Sequence, residues 1–218
     1  MKTKHFLSLL IILQIILTST SISQDKLTYG LKAGMGFWRL MNLKSDPTSY
    51  SYPVGFSMGI YVEDSLSKDI SLVADLLYQN INSKVTIYTA VEGMLDQEIR
   101  TQSLSLPVLI KYKTAWLWNT YFIMGPSFTY LIKSNYKYAD HVYGYIGDVG
   151  ITNNFPSIST SIKFGLGKEI LLAGNYLLFE LDAQFGITKF KHTHSETDYH
   201  EIGSFRNSGI EFNIGVQL

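Results

Sequence analysis

The sequence predicts an all-β chain, folded as an eight-stranded antiparallel up-and-down transmembrane β-barrel with a polar, filled interior. Three observations carry that expectation. Eight segments alternate apolar residues with small or polar ones at a period of two. The connections between them alternate long and short, and the chain opens with the pattern of an exported protein.

The first strand sets Leu27, Tyr29, Leu31, Ala33, Met35 and Phe37 against Thr28, Gly30, Lys32, Gly34 and Gly36. In the second, Val54, Phe56, Met58, Ile60 and Val62 oppose Gly55, Ser57, Gly59 and Tyr61. The third places Ile70, Leu72, Ala74, Leu76 and Tyr78 opposite Ser71, Val73, Asp75, Leu77 and Gln79. The fourth has Leu104, Leu106, Val108, Ile110 and Tyr112 on one side and Ser103, Ser105, Pro107, Leu109, Lys111 and Lys113 on the other. The fifth alternates Phe122, Met124, Pro126, Phe128 and Tyr130 with Tyr121, Ile123, Gly125, Ser127 and Thr129. In the sixth, Ile158, Thr160, Ile162, Phe164 and Leu166 face away from Ser159, Ser161, Lys163 and Gly165. The seventh pairs Leu177, Phe179, Leu181, Ala183, Phe185 and Ile187 with Glu180, Asp182, Gln184 and Gly186. The last has Ile210, Phe212, Ile214, Val216 and Leu218 against Gly209, Glu211, Asn213, Gly215 and Gln217. Pro107 and Pro126 lack the N–H that a sheet ladder uses, and a local bulge is expected at each.

Eight meandering strands suit a soluble lipocalin-like barrel, oily inside, or a membrane barrel, oily outside. Volume separates the two, because an eight-stranded interior only just accommodates its side chains. Phe37, Phe56, Phe122, Phe128, Phe164, Phe179, Phe185 and Phe212 all lie on the apolar set and would overfill it. No Asp, Glu, Lys or Arg stands on that set, as lipid contact requires. The polar set therefore faces inward. There Lys32, Lys111 and Lys163 meet Asp75, Glu180, Asp182 and Glu211, and burial demands that they pair across the barrel as an ion-pair network. Such an interior is a plug; the competing reading is the lining of a water channel. Tyr29, Tyr78, Tyr112, Trp116, Trp118, Tyr130 and Tyr176 fall near strand ends, where interfacial aromatics belong.

Residues 39–53, 80–102, 131–157 and 189–208 form the long connections, and 63–69, 114–120 and 167–175 the short ones. In outer-membrane barrels the long set faces the outside of the cell and the short set the periplasm. The compartment follows from residues 1–23. Lys2 and Lys4 precede an apolar run from Phe6 to Leu17, and Ser21-x-Ser23 offers a cleavage site before Gln24. This is a signal peptide, with 24–218 as the barrel domain. The competing reading, a membrane anchor, needs the apolar run stretched toward spanning length. Cysteine is absent, which excludes disulfides, zinc-thiolate sites, a thiol nucleophile and a lipid anchor on cysteine. The formal net charge is zero, so nucleic acid is not an expected partner.

The chain resembles the PorT-like outer-membrane β-barrel family of Gram-negative bacteria. The resemblance rests on the signal peptide, on the Leu104–Lys113 strand (LSLPVLIKYK), on the glycine-flanked strands and on the closing Gly209–Leu218 strand (GIEFNIGVQL). It implies a small barrel without a catalytic motif, in some members tied to protein secretion.

Two loops carry candidate chemistry. In the last, His192, His194 and His200 with Glu196, Asp198 and Glu201 form a donor set for a divalent metal, although their spacing follows no established ligand motif. The bland alternative is a solvated hairpin extension. His194 and Ser195 suggest a surface-lipid hydrolase, but adjacent residues of an extended chain point to opposite faces. In the third long loop Tyr136, Tyr138, Tyr143 and Tyr145 suit an extracellular binding patch, or simply strands that continue above the membrane. The expectation is a non-enzymatic, monomeric barrel without cofactor. Its partners are outer-membrane lipid and lipopolysaccharide, together with an envelope or secretion protein.

Overall fold

A computed structural model of the chain describes residues 27–42, 49–51, 54–89, 93–114, 120–140, 146–150, 156–189 and 205–218. The segment read as a signal peptide, 1–23, lies outside them, as do Trp116 and Trp118. The strands are β1 (Leu27–Asn42), β2 (Ser49–Ser51), β3 (Val54–Ser65), β4 (Ile70–Thr89) and β5 (Gly93–Thr114). They continue with β6 (Thr120–Asp140), β7 (Ile146–Gly150), β8 (Ile158–Leu172), β9 (Asn175–Gly186) and β10 (Phe205–Gln217).

Eight of these close a ring in the order β1, β3, β4, β5, β6, β8, β9, β10 and back to β1, every pair antiparallel. Following register partners once around, Leu27 leads through Asp64, Leu72, Ile110, Met124, Phe164, Ala183 and Ile210 to Phe37. The return is displaced along β1 from Leu27 to Phe37, a shear of 37 − 27 = 10 residues. With strands roughly 4.8 Å apart and a rise of roughly 3.4 Å per residue, that stagger tilts the strands by about 40°. This is the geometry in which side chains just fill the bore.

Burial follows the alternation on all eight strands. Leu31, Met35, Phe56, Ile60, Leu76, Ile110, Met124, Phe164, Leu181, Phe212 and Ile214 are exposed on the outside of the ring. Lys32, Ser57, Asp75, Ser105, Lys111, Ser127, Lys163, Glu180, Asp182, Glu211 and Asn213 are buried within it. On the outer wall Phe164 stacks on Phe185, with centroids 5.2 Å apart. Tyr29, Tyr112 and Tyr176 are exposed near strand ends, whereas Tyr130 is exposed at the middle of β6, which continues past it to Asp140.

Two expectations need correcting. Neither Pro107 nor Pro126 sits at a bulge. The β4–β5 ladder runs from Ala74↔Val108 to Leu77↔Ser105 without a register change, skipping the positions facing Leu106 and Pro107. The β5–β6 ladder likewise skips Val108 and Leu109, which face Pro126 and Gly125. Each missing N–H deletes bonds in place, because the neighbouring rungs on both sides hold the register. The register shift lies elsewhere, between Gln102 and Ser103. Nor do residues 80–89 and 93–102 of the long connection form a loop. β4 and β5 stay paired from Asn80↔Gln102 to Thr89↔Gly93. The alternation of Val85 and Ile87 with polar residues continues past the apolar belt, and strand pairing needs no membrane around it.

Glycines let inward aromatics cross the bore. The Tyr61 ring lies over its register partner Gly30, Tyr121 over Gly167, and Trp38 over Gly209. A Cβ at Gly167 would collide with the Tyr121 phenol. Gly167→Ala is therefore expected to cost about 1–3 kcal/mol in urea unfolding of the lipid-embedded barrel. In a Tyr121→Leu background the same change should cost at least about 0.5 kcal/mol less. Additive costs would mean that the phenol does not occupy the glycine's space.

Candidate functional site

The side chains that set this barrel apart lie inside it, in layers. At the end with the long connections, Trp38, Ile81 and Ile99 are buried. Below them comes a hydroxyl and amide layer, in which Ser105 and Ser127 hydroxyls are 3.0 Å apart and Gln184 Nε2 donates to Ser161 Oγ at 2.8 Å. Charged groups fill the middle. Toward the short turns, Tyr61, Val73, Leu109, Tyr121, Ile123 and Leu178 form an apolar cluster, with further charges beneath.

The middle layer is built on two lysines. Lys32, on β1, reaches Asp75 of β4 at 3.0 Å and Glu180 of β9 at 2.8 Å, each two strands away around the ring. Lys163, on β8, lies 2.8 Å from Asp182 and 3.6 Å from Glu211. Tyr121 donates its hydroxyl to Glu180 at 2.9 Å, and Asn213 donates to Asp182 at 2.7 Å. The Lys32 ammonium also stands 5.4 Å from the Tyr61 ring centroid. All six charged side chains are at most 4% exposed, so each carboxylate depends on a lysine for the solvation that water would otherwise supply.

The lower layer was not anticipated as a set. Lys111 pairs with Glu63 at 2.7 Å and with Glu169, and its ammonium sits 4.2 Å from the Tyr121 ring centroid. Lys113 joins the same two carboxylates at 3.4 and 3.2 Å. Lys111 thus forms its ion pairs away from the six residues of the middle layer. The sequence pattern sets Glu63 and Glu169 in short connections, yet each continues the inward parity of its strand, after Tyr61 and after Gly167. That parity was the available signal. Counting both layers and Tyr121, every strand of the ring contributes a side chain, so the polar contacts cross-brace the whole cylinder.

The loop candidates fare differently. Tyr136 and Tyr138 lie on β6 opposite Ile99 and Gln97 of β5, and only their backbone is described. Tyr143, Tyr145, His192, His194, Ser195 and His200 lie outside the described residues. Among the described residues, no group of three or more histidines and carboxylates is arranged to hold a metal ion.

What does project is backbone. Beyond the apolar belt β2 pairs with β4, β4 with β5, β5 with β6, and β6 with β7, giving a wall of five strands on one side of the mouth. At the other end β8 and β9 are joined by a two-residue turn, Ala173–Gly174, with both residues at positive φ.

A family model described as outer membrane protein beta-barrel domain matches residues 22–192. No curated protein matches the sequence. Among solved structures, the chain is similar to the outer membrane protein OprG from Pseudomonas aeruginosa, at 12% identity and a TM-score of 0.47, over 88% of this chain and 94% of that one. Neisserial surface protein A aligns at 10% identity and a TM-score of 0.42, over 87% and 96% of the two chains. The attachment invasion locus protein Ail of Yersinia pestis aligns at 9% identity and a TM-score of 0.40, over 88% and 97%.

Proposed function

This chain belongs to the outer membrane protein beta-barrel domain family, and from that premise we propose that it is a non-enzymatic anchor with a plugged bore. It holds a strand wall outside the cell, and the wall binds an envelope or secretion protein. The PorT-like resemblance supports the secretion side of this reading.

The observation that carries the proposal is the length of the β4–β5 hairpin beyond the membrane belt. Pairing from Asn80↔Gln102 to Thr89↔Gly93 extends it by roughly 30 Å at about 3.4 Å per residue. A hairpin of that length needs support, and β2, β6 and β7 supply it by widening the sheet. Among the described residues β2 pairs only with β4 and β7 only with β6, so the wall ends in the kind of edge to which a partner strand adds. The bore supports a static role, because its charged side chains pair with one another across the ring rather than line an open path, two lysines with four carboxylates in the middle layer and two with two in the lower.

Two measurements test this. A photo-crosslinker at position 138 or 143 should capture one discrete partner in intact cells. Replacing residues 84–98 by a two-residue Asn-Gly turn should abolish that adduct while leaving a heat-resistant barrel in the outer membrane. An adduct that survives the truncation would remove the wall as the binding element. In planar bilayers the protein should show no large steady conductance, and such conductance would overturn the plugged bore.

A further inference from the structure

Where β5 and β6 leave the apolar belt, their register slips. Gln102 pairs with Lys133 but Ser103 pairs with Leu131, so Ile132 is an extra residue on β6. Below the slip, odd-numbered residues of β6 such as Ile123 and Ser127 are buried in the bore. Above it Ser134 is buried instead, which hands the outer face to Lys133, Asn135 and Lys137. A bulge re-aims side chains in this way. Without it, Lys133 and Lys137 would point into the barrel.

The facing strand completes a patch. Glu98, Arg100 and Gln102 share the outward parity of Leu104, and they lie opposite Lys137, Asn135 and Lys133 respectively. Arg100 binds Glu98 through Nε at 2.8 Å and Nη2 at 3.2 Å. Register sets Asp148 of β7 beside Lys137 and Lys84 of β4 beside Glu98, so four cationic and two carboxylate positions share this stretch of outer wall. The patch begins within three residues of Tyr130, which with Leu104 is exposed at the upper edge of the apolar belt. Its first cations stand roughly 7–10 Å further along the strands, at the depth of lipid head groups.

We propose that Arg100, Lys133 and Lys137 bind the phosphate groups of outer-leaflet lipids whose acyl chains lie against the belt below. The charge is complementary, and the patch is continuous with the lipid-facing wall. The guanidinium of Arg100 and the two ammonium groups supply the donors that a phosphate accepts. The bulge at Ile132 is then a device that moves two lysines from the bore to the lipid. This inference rests on the reading that the long-strand end faces outside the cell.

The test uses the folded full-length barrel and fluorescent lipopolysaccharide as probe, beside its dephosphorylated form. Replacing both Arg100→Gln and Lys133→Gln should weaken binding of intact lipopolysaccharide about thirty-fold, from a loss of roughly five-fold per surface charge. Lys133→Arg should keep it. Dephosphorylated lipid should bind wild type no better than the double variant. Equal binding by wild type and double variant would overturn the proposal. Competition by millimolar inorganic phosphate as effective as that of the lipid would also overturn it, by making the patch a site for a free anion. A wild-type chain recovered outside the outer-membrane fraction would overturn both the patch and the anchor reading. A barrel that is inserted but indifferent to lipid phosphate would overturn the patch alone.

Discussion

Replacing Lys32 by methionine should destabilise the barrel by about 3–5 kcal/mol, measured by urea unfolding in lipid vesicles. The side chain is 1% exposed and touches both Asp75 and Glu180, which are at most 4% exposed. Methionine fills much of the volume but leaves two carboxylates buried without the ammonium that each contacts. The loss comes from those stranded charges rather than from the missing attraction, and a second variant separates the two. Lys32→Met combined with Asp75→Asn and Glu180→Gln should regain most of the stability, because neutral amides cost far less to bury than unpaired carboxylates. Should Lys32→Met lie within about 1 kcal/mol of wild type, water must already solvate these groups, and the plugged bore would be wrong.

The second large effect distinguishes lipid from water on the outer wall. Leu181 and Leu172 are almost equally exposed, at 55% and 59%. Leu181 lies near the middle of β9 on the outer face. Leu172 shares the outward parity of Leu166 but lies at the end of β8, beyond Lys168, which pairs with Thr120, the first residue of β6. Leu181→Arg should cost about 2–4 kcal/mol, since an arginine near the bilayer midplane must snorkel or draw water inward. Leu172→Arg should cost about 0–1 kcal/mol, because the turn end reaches the interface. Near-zero costs at both positions would mean that the apolar wall faces water, and the membrane reading would fall.

Sequence reasoning located the parts better than their connections. The inward set, from Lys32 on β1 to Glu211 on β10, was legible because a strand alternates its faces at every residue. The lower ion-pair layer was half legible. The alternation puts Lys111 in the bore, but it leaves its partners Glu63 and Glu169 in the short connections because strand ends carry no mark in the pattern. The five-strand wall was missed in its extent for the same reason, since polar residues above the membrane look like loop until their pairing is known.

By itself, the sequence determined which side chains face lipid and which face the bore, because that choice is local and follows from the chain's own period of two. Only the tertiary structure decided which charges meet. A stagger of ten residues around the ring sets Lys32 between Asp75 and Glu180 and puts Lys111 in a layer of its own. It also decided that one extra residue at Ile132 reverses the local pattern and turns Lys133 outward. Register is a relation between distant segments, fixed by all the pairings at once, and no single strand carries it.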